Sequence, residues 1–273
     1  EQKKIGFIGL GLIGGSIARA VRQFYPDYEI VAFDKNKGTL ALATQESVIN
    51  VACTSIDNNF RNCDYIFLCA PVAFNTAYLK QMMPYLHDDL ILTDVGSVKT
   101  PIHEEINHLG LEKYFIGGHP MAGSEKSGFA NSKPLLIENA YFVLTPSAKA
   151  AQEKVDEYAS FVESLHAIPI VLDYKDHDHV TGTISHLPHI IAASLVNFVK
   201  KSDTEDELMK NLNMQFLVML AAAVIIGYLV LVIFYGIVAS HFYGTKHEKA
   251  RKRVKQFNHD LTRLNRMYER EKR

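Results

Sequence analysis

Seven short apolar runs, each closed by turn residues, punctuate the first two-thirds of this 273-residue chain: KIGFIGL, EIVAFD, CDYIFLCA, LILTDVG, YFIGGHP, AYFVLTP and IPIVLD. Their length and nearly unbroken apolar character predict strands buried on both faces. Helix-like stretches between several of them predict βαβ units around a mostly parallel sheet, an α/β fold. In KAAQEKVDEYASFVESLHA, Val155, Tyr158, Val162 and Leu165 recur at helical spacing, an apolar stripe that packs a helix onto that sheet. From Asp176 a second helical pattern begins, with an acidic start and then Val180, Ile184, Leu187, Ile191 and Leu195. Pro188 is expected to bend that helix and turn Ser185 and His189 toward the sheet.

Beyond residue 210 the pattern changes again. Residues 211–240 contain no charged side chain, and 216–240 as a helix would be about 37 Å long, enough to cross a bilayer. A basic run follows, and Val254, Phe257, Leu261, Leu264 and Tyr268 then trace a short heptad seam. The expected organisation is an α/β domain at 1–172 and the start of a helical domain at 173–212. A transmembrane helix at 213–243 and a basic tail at 244–273 complete it.

Charge follows the same division. Residues 1–210 carry 18 Lys+Arg and 26 Asp+Glu, net −8, whereas the remainder carries 11 and 4, net +7. A basic tail favours the cytoplasmic side of a membrane and would leave the first domain outside. Either that large domain overrides the charge rule, or the last sixty-odd residues come from an unrelated coding sequence. Nucleic acid is not expected as a partner, because the basic residues follow an apolar span and form no patch with interleaved aromatics. Cys53, Cys63 and Cys69 lie in or beside apolar runs and read as reduced core thiols of a cytoplasmic protein. The N-terminal EQKKIGFIGLG reads as a first strand rather than a signal peptide.

Candidate chemistry begins at GFIGLGLIGGSIARAV, where Gly9, Gly11 and Gly14 have G-x-G-x-x-G spacing between a strand and a helix. The first glycine allows the tight turn, the second lets a pyrophosphate approach, and the third brings helix against strand. Asp34 ends the next strand, where its carboxylate can accept from ribose hydroxyls and repel a 2′-phosphate, which favours NAD over NADP. Lys35 and Lys37 argue mildly the other way. A nicotinamide enzyme also needs a proton acceptor, and His119 in IGGHPMAGSEKSGF suits that role. It is expected to follow a strand end, with its flanking glycines letting substrate and nicotinamide approach. His177, His179, His186 and His189 lie close in sequence but complete no zinc pattern, so no metal is expected.

GGHPMAGSEKSGF, together with TDVGSVK at 93–99 and SHLPH at 185–189, closely resembles the prephenate dehydrogenase family of tyrosine biosynthesis over about residues 3–210. The resemblance implies a Rossmann-type dinucleotide-binding domain at 1–172 and the start of a helical substrate and dimerisation domain at 173–212. It implies NAD-dependent oxidative decarboxylation of prephenate to 4-hydroxyphenylpyruvate by a homodimer, with arogenate as the alternative substrate. It implies that His119 accepts the hydroxyl proton and that Ser97 helps fix His119 or the hydroxyl. It also implies that Ser185 and His189 face the substrate and that Glu125 lies at the pocket mouth. The family's later arginine for the ring carboxylate has no counterpart between Arg61 and Arg251. The rival expectations are a catalytically impaired, membrane-tethered NAD-binding protein, or a hybrid chain that folds only through about residue 172.

Overall fold

The computed structural model describes residues 2–183, 190–194 and 197. Strands β1 (Lys4–Ile8), β2 (Glu29–Phe33), β3 (Val51–Cys53), β4 (Tyr65–Leu68) and β5 (Ile91–Asp94) form a parallel sheet in the order β3-β2-β1-β4-β5. Helices α1 (Leu12–Phe24), α2 (Lys37–Gln45) and α3 (Val72–Met82) return the chain between parallel strands, and α4 (Thr100–Leu109) follows β5. The strand order reverses between β1 and β4, which opens a crevice beyond their carboxyl ends.

Side-chain alternation divides the core into two layers. Ile5, Phe7, Ile30, Ala32, Tyr65 and Phe67 face one layer, which α1 covers with Ile17, Ala18 and Val21. Ile8, Val31, Phe33, Ile66 and Leu68 face the other, which α3 and α4 cover with Leu79, Met82, Ile102 and Ile106. Such two-sided burial is why these strands read as unbroken apolar runs. The three-residue β3, VAC, is too short to give that signal and was not among the expected strands.

The remaining elements are β6 (Ile116–Pro120), β7 (Tyr141–Pro146), α5 (Gln152–Ser164), β8 (Ile168–Val171) and α6 (Tyr174–Thr181). The three strands of this set form a separate sheet in which β7 pairs antiparallel with β6 and parallel with β8. One parallel bridge, Leu92 to Phe115, links it to β5. The mostly parallel sheet expected from the sequence is therefore two sheets. The physical reason lies in the connections: the chain leaves β6 through a stretch without an α-helical crossover and reverses, whereas α5 carries it over to a parallel β8. The expected stripe on α5 is buried, with Val155, Tyr158, Val162 and Leu165 each 3% exposed or less.

Helix α6 starts at Tyr174, two residues before the expected Asp176, because the Asp173 side chain caps it by accepting from the Lys175 amide. Its buried residues are His177 and Thr181, while Val180, expected on the apolar stripe, is 44% exposed. All of these elements lie within one compact unit, Glu1–Pro188. Cys53 and Cys63 are buried free thiols and Cys69 a half-buried one. Among the described residues no helix is long and apolar enough to cross a membrane. The expected span at 213–243 and tail at 244–273 lie outside the described residues, as do Ser185, Pro188 and His189.

Candidate active site

The glycine turn joins β1 to α1. Gly9 has φ 97°, in the left-handed region, and a methyl there would sit 2.9 Å from the Ala70 amide nitrogen. A methyl on Gly14 would lie 2.6 Å from the Gly9 carbonyl oxygen and 2.8 Å from Cys69 Cβ, so this glycine sets the approach of α1 to β4. Gly11 differs, since a methyl there meets nothing within 4 Å. As the N-cap of α1 it offers no side-chain cap, and the first turn has no acidic residue. Amides at the positive end of the helix therefore border open space, a setting that fits a diphosphate.

Asp34 stands just past β2. Its Oδ2 accepts from the Leu10 amide at 2.8 Å and its Oδ1 from the Asn36 amide at 2.7 Å. The carboxylate is thereby fixed beside the glycine turn with lone pairs left for further donors. Lys35, the expected counterweight, places its ammonium 4.9 Å from the Phe74 ring centroid and 5.9 Å from that of Tyr78.

His119 lies within β6, opposite Val143 of β7, rather than in the loop after the strand. It is only 9% exposed. The glycines before it are tightly packed by protein. A methyl on Gly117 would fall 2.4 Å from Thr145 Oγ1, and one on Gly118 would fall 2.7 Å from the Asp94 carbonyl oxygen. Gly117 and Gly118 are bare so that β6 can press against β7 and the end of β5. Because β6 continues from a segment bridged in parallel to β5, His119 emerges at the same sheet end as the glycine turn.

A buried polar network holds that end together. Asp94 accepts from the Gly96 amide at 2.9 Å, from the Gly118 amide at 3.3 Å, and from the Lys99 ammonium. Lys99 and Asp94 are 0% and 1% exposed, and burial pushes the Lys99 pKa down despite the opposing pull of Asp94. The TDVGSVK segment is thus a turn closed around its own ion pair. Thr93 Oγ1 lies 3.0 Å from the Tyr158 hydroxyl of α5.

His119 Nδ1 is 2.8 Å from His177 Nε2, and His177 Nδ1 is 2.8 Å from Asp178 Oδ1. Asp178 also accepts from the amides of Lys99 and Thr100, each at 2.7 Å, and so caps α4 from a different helix. Ser97 is exposed, and among the described residues no hydrogen bond joins it to His119. His177 is a partner that orients the His119 ring. Glu125 is exposed between β6 and β7. No group of three or more His, Cys, Asp or Glu among the described residues is arranged to hold a metal ion.

Residues 17–171 match the nucleotide-binding domain of prephenate dehydrogenase, and residues 173–219 match its dimerization domain. The chain belongs to the prephenate dehydrogenase family. Relatives in that family include the prephenate dehydrogenase of Lactococcus lactis, 41% identical over 198 residues, which are 71% of this chain and 53% of that protein. The Bacillus subtilis enzyme is 35% identical over 204 residues, 74% of this chain and 55% of its own. The chain thus spans about half the length of these curated relatives. Among solved structures, prephenate dehydrogenase from Aquifex aeolicus in complex with hydroxyphenyl propionate and NAD+ superposes with TM-score 0.71 at 30% identity, covering 77% of this chain and 74% of that one. Synechocystis arogenate dehydrogenase gives 0.68 at 32% identity, covering 77% and 74%.

The family match begins after Gly9, Gly11 and Gly14, so the reading of that turn stands on its own geometry. Sequence reasoning missed the roles of Asp94, Lys99, His177 and Asp178. Two signals were present. Asp94 and Lys99 sit inside TDVGSVK, and His177 and Asp178 sit in the DHDH run at 176–179.

Proposed function

We propose that this chain oxidatively decarboxylates prephenate to 4-hydroxyphenylpyruvate and CO2 with NAD. The observation that carries the reading is His119, a buried imidazole held at the end of β6 by His177, on the same sheet end as the glycine turn. NAD supplies the hydride acceptor when bound. Gly9, Gly11 and Gly14 would receive its pyrophosphate and Asp34 its ribose hydroxyls, while the Asp34 charge disfavours a 2′-phosphate. His119 accepts the proton of the ring hydroxyl as hydride leaves the same carbon. Loss of CO2 then makes the ring aromatic. We assign Ser97 to the substrate hydroxyl and Ser185, His189 and Glu125 to the substrate-facing wall.

Arogenate is the second reading, favoured by the likeness to the Synechocystis arogenate dehydrogenase. The match to a dimerization domain supports a homodimer. The division into a nucleotide-binding domain at 1–172 and the start of a second at 173–212 follows the seam between the two family matches. Reduced thiols and an NAD requirement fit the cytoplasm, and the apolar stretch at 213–243 fits a tether, which partition between aqueous and detergent phases tests.

The deciding experiment follows NADH absorbance at about 340 nm with the full chain, NAD and each substrate in turn. Turnover of prephenate, lowered ~10²- to 10⁴-fold by His119→Asn with NADH binding intact, is the expected result. NADH binding without turnover of either substrate would sink the catalytic reading and leave a nucleotide-binding protein.

A further inference from the structure

We propose that His177 and Asp178 form a positioning relay that holds His119 in its Nδ1–H tautomer, with Nε2 as the unprotonated ring nitrogen. Asp178 receives the Lys99 and Thr100 amides on its two oxygens, at the positive end of α4. Burial alone would raise its pKa, but these bonds and the one from His177 outweigh that and hold it below the ordinary carboxylate value. An ionised carboxylate only accepts, so His177 Nδ1, 2.8 Å from Oδ1, must be the donor.

His177 is 1% exposed, and burial pushes its pKa down, with Asp178 opposing. The ring is therefore neutral near pH 7, and its Nε2 carries a lone pair. That nitrogen lies 2.8 Å from His119 Nδ1, with the ring planes crossing at 74°. Two lone pairs cannot share the contact, so His119 Nδ1 must carry the hydrogen. Thr181 Oγ1, 3.4 Å from the same His177 nitrogen, can donate only a longer second bond.

The consequence for the reaction is directional. A neutral imidazole protonated on Nδ1 accepts on Nε2, and the imidazolium formed when His119 takes a proton keeps its Nδ1–H bond to His177. No tautomer shift is needed between resting and protonated states. Asp178 joins this relay to the N-terminus of α4, and so to Lys99 and the end of β5. His177 touches no reacting atom, and its place is to orient and to select the tautomer.

The inference rests on the proposed role of His119, but its first test does not. Imidazole ¹⁵N NMR of the full chain, with His119 assigned through His119→Asn, reports which nitrogen is protonated. Nδ1 protonated with Nε2 bare at about pH 8 is expected in the wild type, retained in His177→Gln, whose amide oxygen can accept, and lost in His177→Leu. In turnover His177→Leu should lower kcat ~10²-fold with KM within about threefold, and His177→Gln should recover kcat to within about tenfold of wild type. An Nε2–H ring in the wild type, or a Leu variant with unchanged tautomer and kcat, overturns the proposal. If the wild type binds NADH but turns over no substrate, the proposed activity fails while the NMR result still decides the relay.

Discussion

The nucleotide turn and the histidine cluster occupy the same end of the sheet and are built by opposite means. Around Gly9, Gly11 and Gly14 the work is done by backbone: one positive φ, one close helix contact and one open space. Around His119 it is done by side chains from β5, β6, α4 and α6, whose charges are paired out of water. The difference teaches that a site made of backbone shape tolerates change in its surroundings, whereas one made of buried partners fails when any partner is removed.

The largest blow to the second region should come from Lys99→Met, which leaves Asp94 ionised and unpaired among buried groups. A loss of roughly 3–5 kcal/mol of unfolding free energy is expected by urea titration, with dinucleotide affinity per folded molecule little changed. A next, smaller break is Gly118→Ala, where the added methyl meets the Asp94 carbonyl. It should destabilise the apo chain by about 1–3 kcal/mol, and an unchanged melting curve would return Gly118 to the ligand-approach role.

These two cases show where the sequence was legible. The glycine fingerprint and Asp34 could be read because their spacing is local and each residue answers to its own turn. The strands of the first sheet could be read because both faces are apolar. His119 was found as a candidate, but its place inside β6 was not, since Gly-Gly-His-Pro carries no strand propensity and pairing with β7 overrides it. The partnership of His177 with His119 spans 58 residues and leaves no periodic trace. The burial of Lys99 was not legible, because nothing local announces that Asp94 will be buried beside it.

Acid should separate the two regions next. His103, 1% exposed and stacked on Tyr174, has its pKa pushed by burial from the ordinary 6.5 down to about 4. The unfolded chain therefore takes up its proton first. This contribution is complete above about pH 6.5 and is lost as pH falls toward 4. A fall in stability of about 2 kcal/mol between pH 7 and pH 5 is expected from this group, and His103→Gln should flatten that part of the curve.

The smallest effect on stability, and the sharpest contrast, belongs to Gly11→Ala. A methyl facing open space should move unfolding by no more than ~0.5 kcal/mol while weakening NADH binding about tenfold in a fluorescence titration. An equal loss in both measurements would show that the turn is not the backbone-only device its geometry describes.

The three free cysteines have a use beyond packing. Burial pushes their thiol pKa values up, that of Cys63 to about 12, so the reactive thiolate is scarce while the fold is closed. Cys53 sits on the sheet's outermost strand, Cys63 just before β4, and Cys69 under the glycine turn. Alkylation read peptide by peptide would then serve as a native clock for the sheet: the order in which the three become labelled is the order in which edge, centre and nucleotide turn come open.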